Sequence, residues 1–71
     1  MKLPTMRDDS RGRWLRITNI VPEGGIEDLY RMLSGLERSG AIAEIQKYER
    51  TERGHGTRTY WAVWKLVHPS G

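Results

Sequence analysis

The run Thr57-Arg58-Thr59-Tyr60-Trp61-Ala62-Val63-Trp64-Lys65-Leu66-Val67 constrains this chain more than any other stretch. It holds two of the three Trp and one of the three Tyr in a chain of 71 residues. A chain of this length buries only about 60% of its unfolded surface, so such a run has to supply much of any core. It also follows an Arg- and Gly-rich segment, Glu49-Arg50-Thr51-Glu52-Arg53-Gly54-His55-Gly56. Aromatic rings beside a basic loop suit contact with nucleic acid or with a large protein partner.

Strand alternation divides the run between two faces. One face takes Tyr60, Ala62, Trp64 and Leu66, and the other takes Thr59, Trp61, Val63, Lys65 and Val67. The first set carries no charge beyond Arg58 at the strand start, which assigns it to the core. Trp61 and Lys65 then fall on an open face.

The rest of the chain supplies one helix and two more strands. Residues 14–21 alternate and are rich in β-branched side chains, with Leu15 and Ile17 pointing one way and Trp14, Arg16 and Thr18 the other. Pro22-Glu23-Gly24-Gly25 ends that strand. Ile26, Leu29, Leu33 and Leu36 then recur at helical spacing, with Glu27 and Asp28 at the positive end of the helix dipole and Gly40 placed to close it. Residues 41–50 predict a second strand, with Ala41, Ala43 and Ile45 under the helix and Ile42, Glu44, Gln46, Tyr48 and Arg50 opposite.

The fold class expected is therefore α+β, in the order β-α-β-β, with one helix packed on a three-stranded sheet. Residues 1–12 are expected to form a disordered basic tail, residues 13–68 a single domain and residues 69–71 a C-terminal tail. No apolar run approaches the roughly 18 residues of a membrane span, and no Cys is present for a disulfide or a Cys-based zinc site. A cytoplasmic location without membrane association is expected.

The net charge of +3 is unevenly spread. The start is basic through Lys2, Arg7, Arg11 and Arg13; the middle is acidic through Glu23, Glu27, Asp28 and Glu37; the predicted hairpin is basic through Lys47, Arg50, Arg53 and Arg58. This pattern fits solvated surface as well as a basic binding face. Arg50, Arg53, His55 and Arg58 gather around the Gly54-His55-Gly56 tip, a finger for phosphates or an acidic cleft or simply a loop that needs Gly to turn. Arg16, Tyr48, Trp61 and Lys65 complete the candidate contact set, with Arg7, Arg11 and Arg13 as tail contacts. No metal site is expected, because His55 and His68 lack further ligands at suitable spacing. No cofactor is expected either, and no Ser lies in a nucleophile context, so a non-enzymatic role is expected.

Residues 15–20, Leu-Arg-Ile-Thr-Asn-Ile, followed by residues 21–29, resemble the opening of an RNA recognition motif. The resemblance covers roughly residues 14–50 and implies a sheet whose open face stacks single-stranded RNA bases. This chain has Arg16 where that family places a stacking aromatic in its first strand. On the family's central strand Tyr60 takes the first stacking position, turned outward, and Ala62 the second. The family's second helix and fourth strand have no counterpart here. In size and charge the chain also looks like small bacteriophage-encoded regulators that bind RNA polymerase. These resemblances imply a small regulator, monomeric or weakly dimeric, docking on a transcription or RNA-linked machine such as RNA polymerase. The alternatives are a reduced RNA-binding domain and a structural subunit of a homo-oligomer.

Overall fold

A computed structural model describes residues 4–67. It shows one helix on an antiparallel sheet, the α+β architecture expected, but with more strands. The strands are β1 (Met6–Asp9), β2 (Gly12–Arg16), β3 (Val21–Pro22), β4 (Ala43–Glu52) and β5 (Gly56–Val67), and α1 spans Ile26–Arg38. The sheet has five strands where three were expected. Strand β5 is its spine: β4 pairs along one edge, while β2 and β3 share the other, opposite 64–67 and 60–61. Strand β1 pairs outside β2.

Two corrections follow. The segment expected to be a disordered tail contains β1 and the turn into β2, so residues 6–12 belong to the sheet. Residues 1–3 and the expected tail at 69–71 lie outside the described residues. Strand one also splits, because the chain steps out of the ladder after Ile17. The Ile17 amide donates to the Val63 carbonyl at 3.0 Å, and the Thr18 hydroxyl then takes the place of a backbone acceptor, receiving the Val63 amide at 2.9 Å. A local side-chain acceptor of this kind lets a strand bend without orphaning a buried N–H.

The helix forms where its apolar stripe predicts. Gly25 precedes it without a side-chain cap, acidic Glu27 and Asp28 occupy the first turn, and Arg38 the last. Gly40, at φ 93°, closes it as expected, because a left-handed residue frees the chain to reverse. Leu29 is buried on its inner side.

The facing of β5 is a third correction. Ala43 and Ile45 turn toward the helix as expected, and the hairpin register sets Glu44 opposite Trp64, Gln46 opposite Ala62 and Tyr48 opposite Tyr60. Paired residues share a face. Tyr60 and Trp64 therefore stand with Glu44, Gln46 and Tyr48 on the face away from the helix. Val63 and Trp61 stand with Ile45, Lys47 and Val21 on the helix side. A side chain on Gly25, at the helix entry, would meet Val21 Cγ2 at 3.3 Å, which places the helix on that side. Trp64 is buried as expected, at 1% exposure, but its cover is polar side chains rather than the helix.

Candidate docking surface: the helix-free sheet face and the hairpin arm

The helix-free face is built around Trp14 and Trp64, both about 1% exposed. Trp14 stands opposite Leu66 in β5 and Arg7 in β1, and Trp64 stands between Arg16 and Glu44. Side chains from β1 and from the turn after it cover these rings. The Arg7 guanidinium lies 4.9 Å from the Trp14 ring centroid and 5.2 Å from that of Trp64, and Arg11 lies 4.8 Å from Trp14. Cations over indole faces are attracted by the ring quadrupole, by about 0.5–1 kcal/mol when exposed and more when desolvated.

One carboxylate holds both arginines. Glu44 accepts from Arg7, and from Arg11 at 3.0 Å. Asp9 approaches the same two guanidiniums at 3.6 and 3.8 Å. It also accepts the Arg11 amide at 2.8 Å, and that backbone hydrogen bond is the main reason its carboxyl titrates below its ordinary 3.8. Arg13 pairs with Asp8 at 3.3 Å. The three arginines expected to reach out from a tail are thus bound within the sheet.

Tyr48 is the polar hinge of this face. Its hydroxyl accepts the Trp64 indole N–H and donates to Gln46 Oε1 at 3.1 Å. Burial raises its pKa above the ordinary 10.0, against the opposing pull of the Trp64 hydrogen bond and of Arg7 and Arg16.

Beyond Pro22, which pairs with Tyr60, the β4–β5 hairpin continues as a two-stranded arm. Its tip is Arg53-Gly54-His55, closed by the His55 amide on the Glu52 carbonyl at 3.0 Å. Gly54 and Gly56, at φ 83° and 74°, make the reversal in a region that other residues rarely adopt. Arg50 and Arg58 are direct cross-strand partners on the helix-free face. Like charges in that position repel. Glu52 stands between them, 4.0 Å from Arg50 and 3.7 Å from Arg58, and accepts the Tyr60 hydroxyl at 2.8 Å. Arg53 and His55 at the tip make no ion pair among the described residues.

The residues selected from sequence therefore divide. Arg16, Tyr48, Arg50 and Arg58 share the helix-free face, and Arg53 and His55 form the tip. Trp61 and Lys65 do not join them. Both turn to the helix side, where Trp61 is half-buried with its indole N–H unpartnered and Lys65 stands exposed opposite Ala43. Trp14, Glu44, Gln46, Glu52 and Tyr60 complete the surface, and of these Glu44, Gln46 and Glu52 were missed as site residues. The signal that finds them is the β4 facing carried across the hairpin register.

Among the described residues no cluster of His, Asp or Glu is arranged to hold a metal ion, and no helix is long and apolar enough to cross a membrane. Comparison with protein-family models, with curated proteins and with solved structures gives no match.

Proposed function

We propose that this chain is a non-enzymatic docking module, binding a larger transcription or RNA-linked assembly through the hairpin arm and the helix-free face beside it. The observation that carries this reading is the Arg50–Arg58 pair. Two arginines face each other across the ladder with one carboxylate for both, at the base of a tip that adds Arg53. Such a pair costs stability in the free chain and is relieved when an anion meets it. An acidic groove or a phosphate-lined channel supplies that anion, and RNA polymerase is the specific target proposed. Binding there would act by occlusion or by favouring one state of the partner.

The rival is direct binding of single-stranded RNA by base stacking. Tyr60 stands with Tyr48 on the helix-free face. The two largest rings on the face, however, lie under Arg7 and Arg11 rather than bare, and base stacking needs an open ring.

Retention of purified RNA polymerase on the immobilised chain tests the proposal, with Arg50→Ala/Arg53→Ala/Arg58→Ala as the variant. Retention should fall at least tenfold while circular dichroism stays unchanged. Equal retention by the variant removes the arm from the interface. A labelled single-stranded oligonucleotide held tightly at low salt, and lost steeply as salt rises, would favour the rival.

A further inference from the structure

The outer edge of β4 carries an inference independent of the docking proposal. In the ladder with β5, the Leu66 amide donates to the Ile42 carbonyl at 2.7 Å. Antiparallel pairs alternate between bonded and non-bonded, so the even-numbered residues of β4 turn their N–H and C=O groups toward β5. Residues 43, 45, 47, 49 and 51 turn theirs outward, and among the described residues β4 pairs with no strand but β5. The edge is ten residues long and contains no Pro. Edges of this length are usually blunted by bulges, Pro or inward charges, because they template pairing with another chain.

We infer that β4 pairs with β4 of a second copy, antiparallel about a twofold axis at Tyr48, joining the two sheets into one. Three features favour a second copy as the occupant. The first is register. Centring on Tyr48 makes 47 and 49 bonded partners, so Lys47 of each copy meets Glu49 of the other, and Ile45 meets Thr51. Within one chain Lys47 and Glu49 already pair at 3.1 Å on a shared face, so the dimer exchanges partners without reorienting the charges. The second is neutralisation. The same register sets Glu44 against Glu52, an unfavourable match for bare carboxylates, but Glu44 is held by Arg7 and Arg11 and Glu52 by Arg58 and Arg50.

The third is the arm. Among the described residues, 56–59 of β5 have no strand partner except β4, and an isolated two-stranded ribbon is only marginally stable in water. In the dimer, the first half of the partner's β4 runs beside residues 49–53 and gives each arm a third strand. Paired residues keep their faces across the seam, so both helices lie on one side of the joined sheet and both helix-free faces on the other. A twofold of this kind closes on itself and leaves no β4 edge for further growth.

Sedimentation equilibrium of the full chain over micromolar to millimolar concentration tests this. The mass should rise from the 8.2 kDa of one chain toward twice that value. Lys47→Glu and Glu49→Lys should each weaken dimerisation at least tenfold by placing like charges across the seam. The double variant Lys47→Glu/Glu49→Lys should restore it. Lys47→Pro should also give a monomer, because the amide it removes points outward and the β5 ladder survives. Circular dichroism confirms that each variant is folded, and the charge variants decide the matter if the Pro variant is not. A wild-type chain that stays at 8.2 kDa throughout overturns the inference. So does a dimer equally strong in both single charge variants.

Discussion

The guanidinium of Arg7 stands 4.9 Å from the ring centroid of Trp14 while its charge is taken up by Glu44, a residue 37 positions away. The same group covers Trp64. A sheet face without a helix is thereby covered by Arg7 over both rings, with Arg11 also over Trp14, their stems and planar heads lying on apolar ring surface. Arg7→Ala should remove its two cation–π contacts, strip Glu44 of its closest partner, bare the Trp64 indole and leave Trp14 under Arg11 alone. The expected loss is about 2 kcal/mol, or roughly 10 °C in Tm for a domain of this size. Tryptophan emission should shift to longer wavelength, and Arg7→Lys should recover only part of the loss, because an ammonium lacks the planar fork. An unchanged Tm in Arg7→Ala would show that the roof contributes nothing.

Tyr48 joins Trp64 to this face through its hydroxyl. Tyr48→Phe keeps the ring and orphans a buried indole N–H, which costs about 1–3 kcal/mol. Alkali should have a related effect. The raised pKa of Tyr48 means that the folded chain holds the phenolic proton more tightly than the unfolded chain. Stability from this group is therefore full below the unfolded value near 10.0 and is lost as pH rises through the folded value. Urea unfolding between neutral pH and pH above 10 checks this, since the alkaline decline should flatten in Tyr48→Phe. An identical decline in both proteins would assign it to other groups.

The parts of this fold legible in the sequence are those set by local pattern. Ile26, Leu29, Leu33 and Leu36 define a helix whose bounds are those observed, and Ala43 and Ile45 define the inner face of β4. Strand β1 was not legible, because Met6-Arg7-Asp8-Asp9 has no apolar alternation. Its attachment rests on the ladder to β2 and on the distant Arg7–Glu44 pair. The facing of β5 was not legible from β5 alone, since both its faces are apolar. It depends on the register with β4, and so on the tip turning at residues 53–55 rather than in a longer loop. The basic tip of the candidate site was legible as composition. The Arg50–Arg58 opposition and its single carboxylate emerge only once that register is known.

Asp9 anchors the turn between β1 and β2 by accepting the Arg11 amide. Its depressed pKa gives the opposite pH dependence from Tyr48. Stability from this group is present above its ordinary value of 3.8 and lost as pH falls through the lower folded value. Loosening should begin locally, so amide exchange at Arg11 should quicken in acid before the protein unfolds globally. Asp9→Asn retains an acceptor oxygen without the titration, and exchange at Arg11 should then be nearly independent of pH in that range once intrinsic rates are corrected. Acid sensitivity that persists in Asp9→Asn would show that Asp9 is not its source.

Glu52 links stability to the binding proposed for the arm. Among the described residues its carboxylate is the one acid paired with both Arg50 and Arg58, and it accepts the Tyr60 hydroxyl as well. Glu52→Gln keeps an oxygen for Tyr60 but removes the charge, leaving two arginines opposed across the ladder. The free chain should lose about 0.5–1 kcal/mol, the range of a partly exposed charge pair, and the loss should shrink in high salt. Affinity for an anionic partner should move the other way. With the internal carboxylate gone, Arg50 and Arg58 present uncompensated charge, and binding to RNA polymerase should tighten severalfold at low salt. Thermal denaturation and equilibrium binding on the same preparation read both effects. A variant that is less stable but binds no more tightly would show that Glu52 steadies the arm alone, and that the arginines it holds meet no anion.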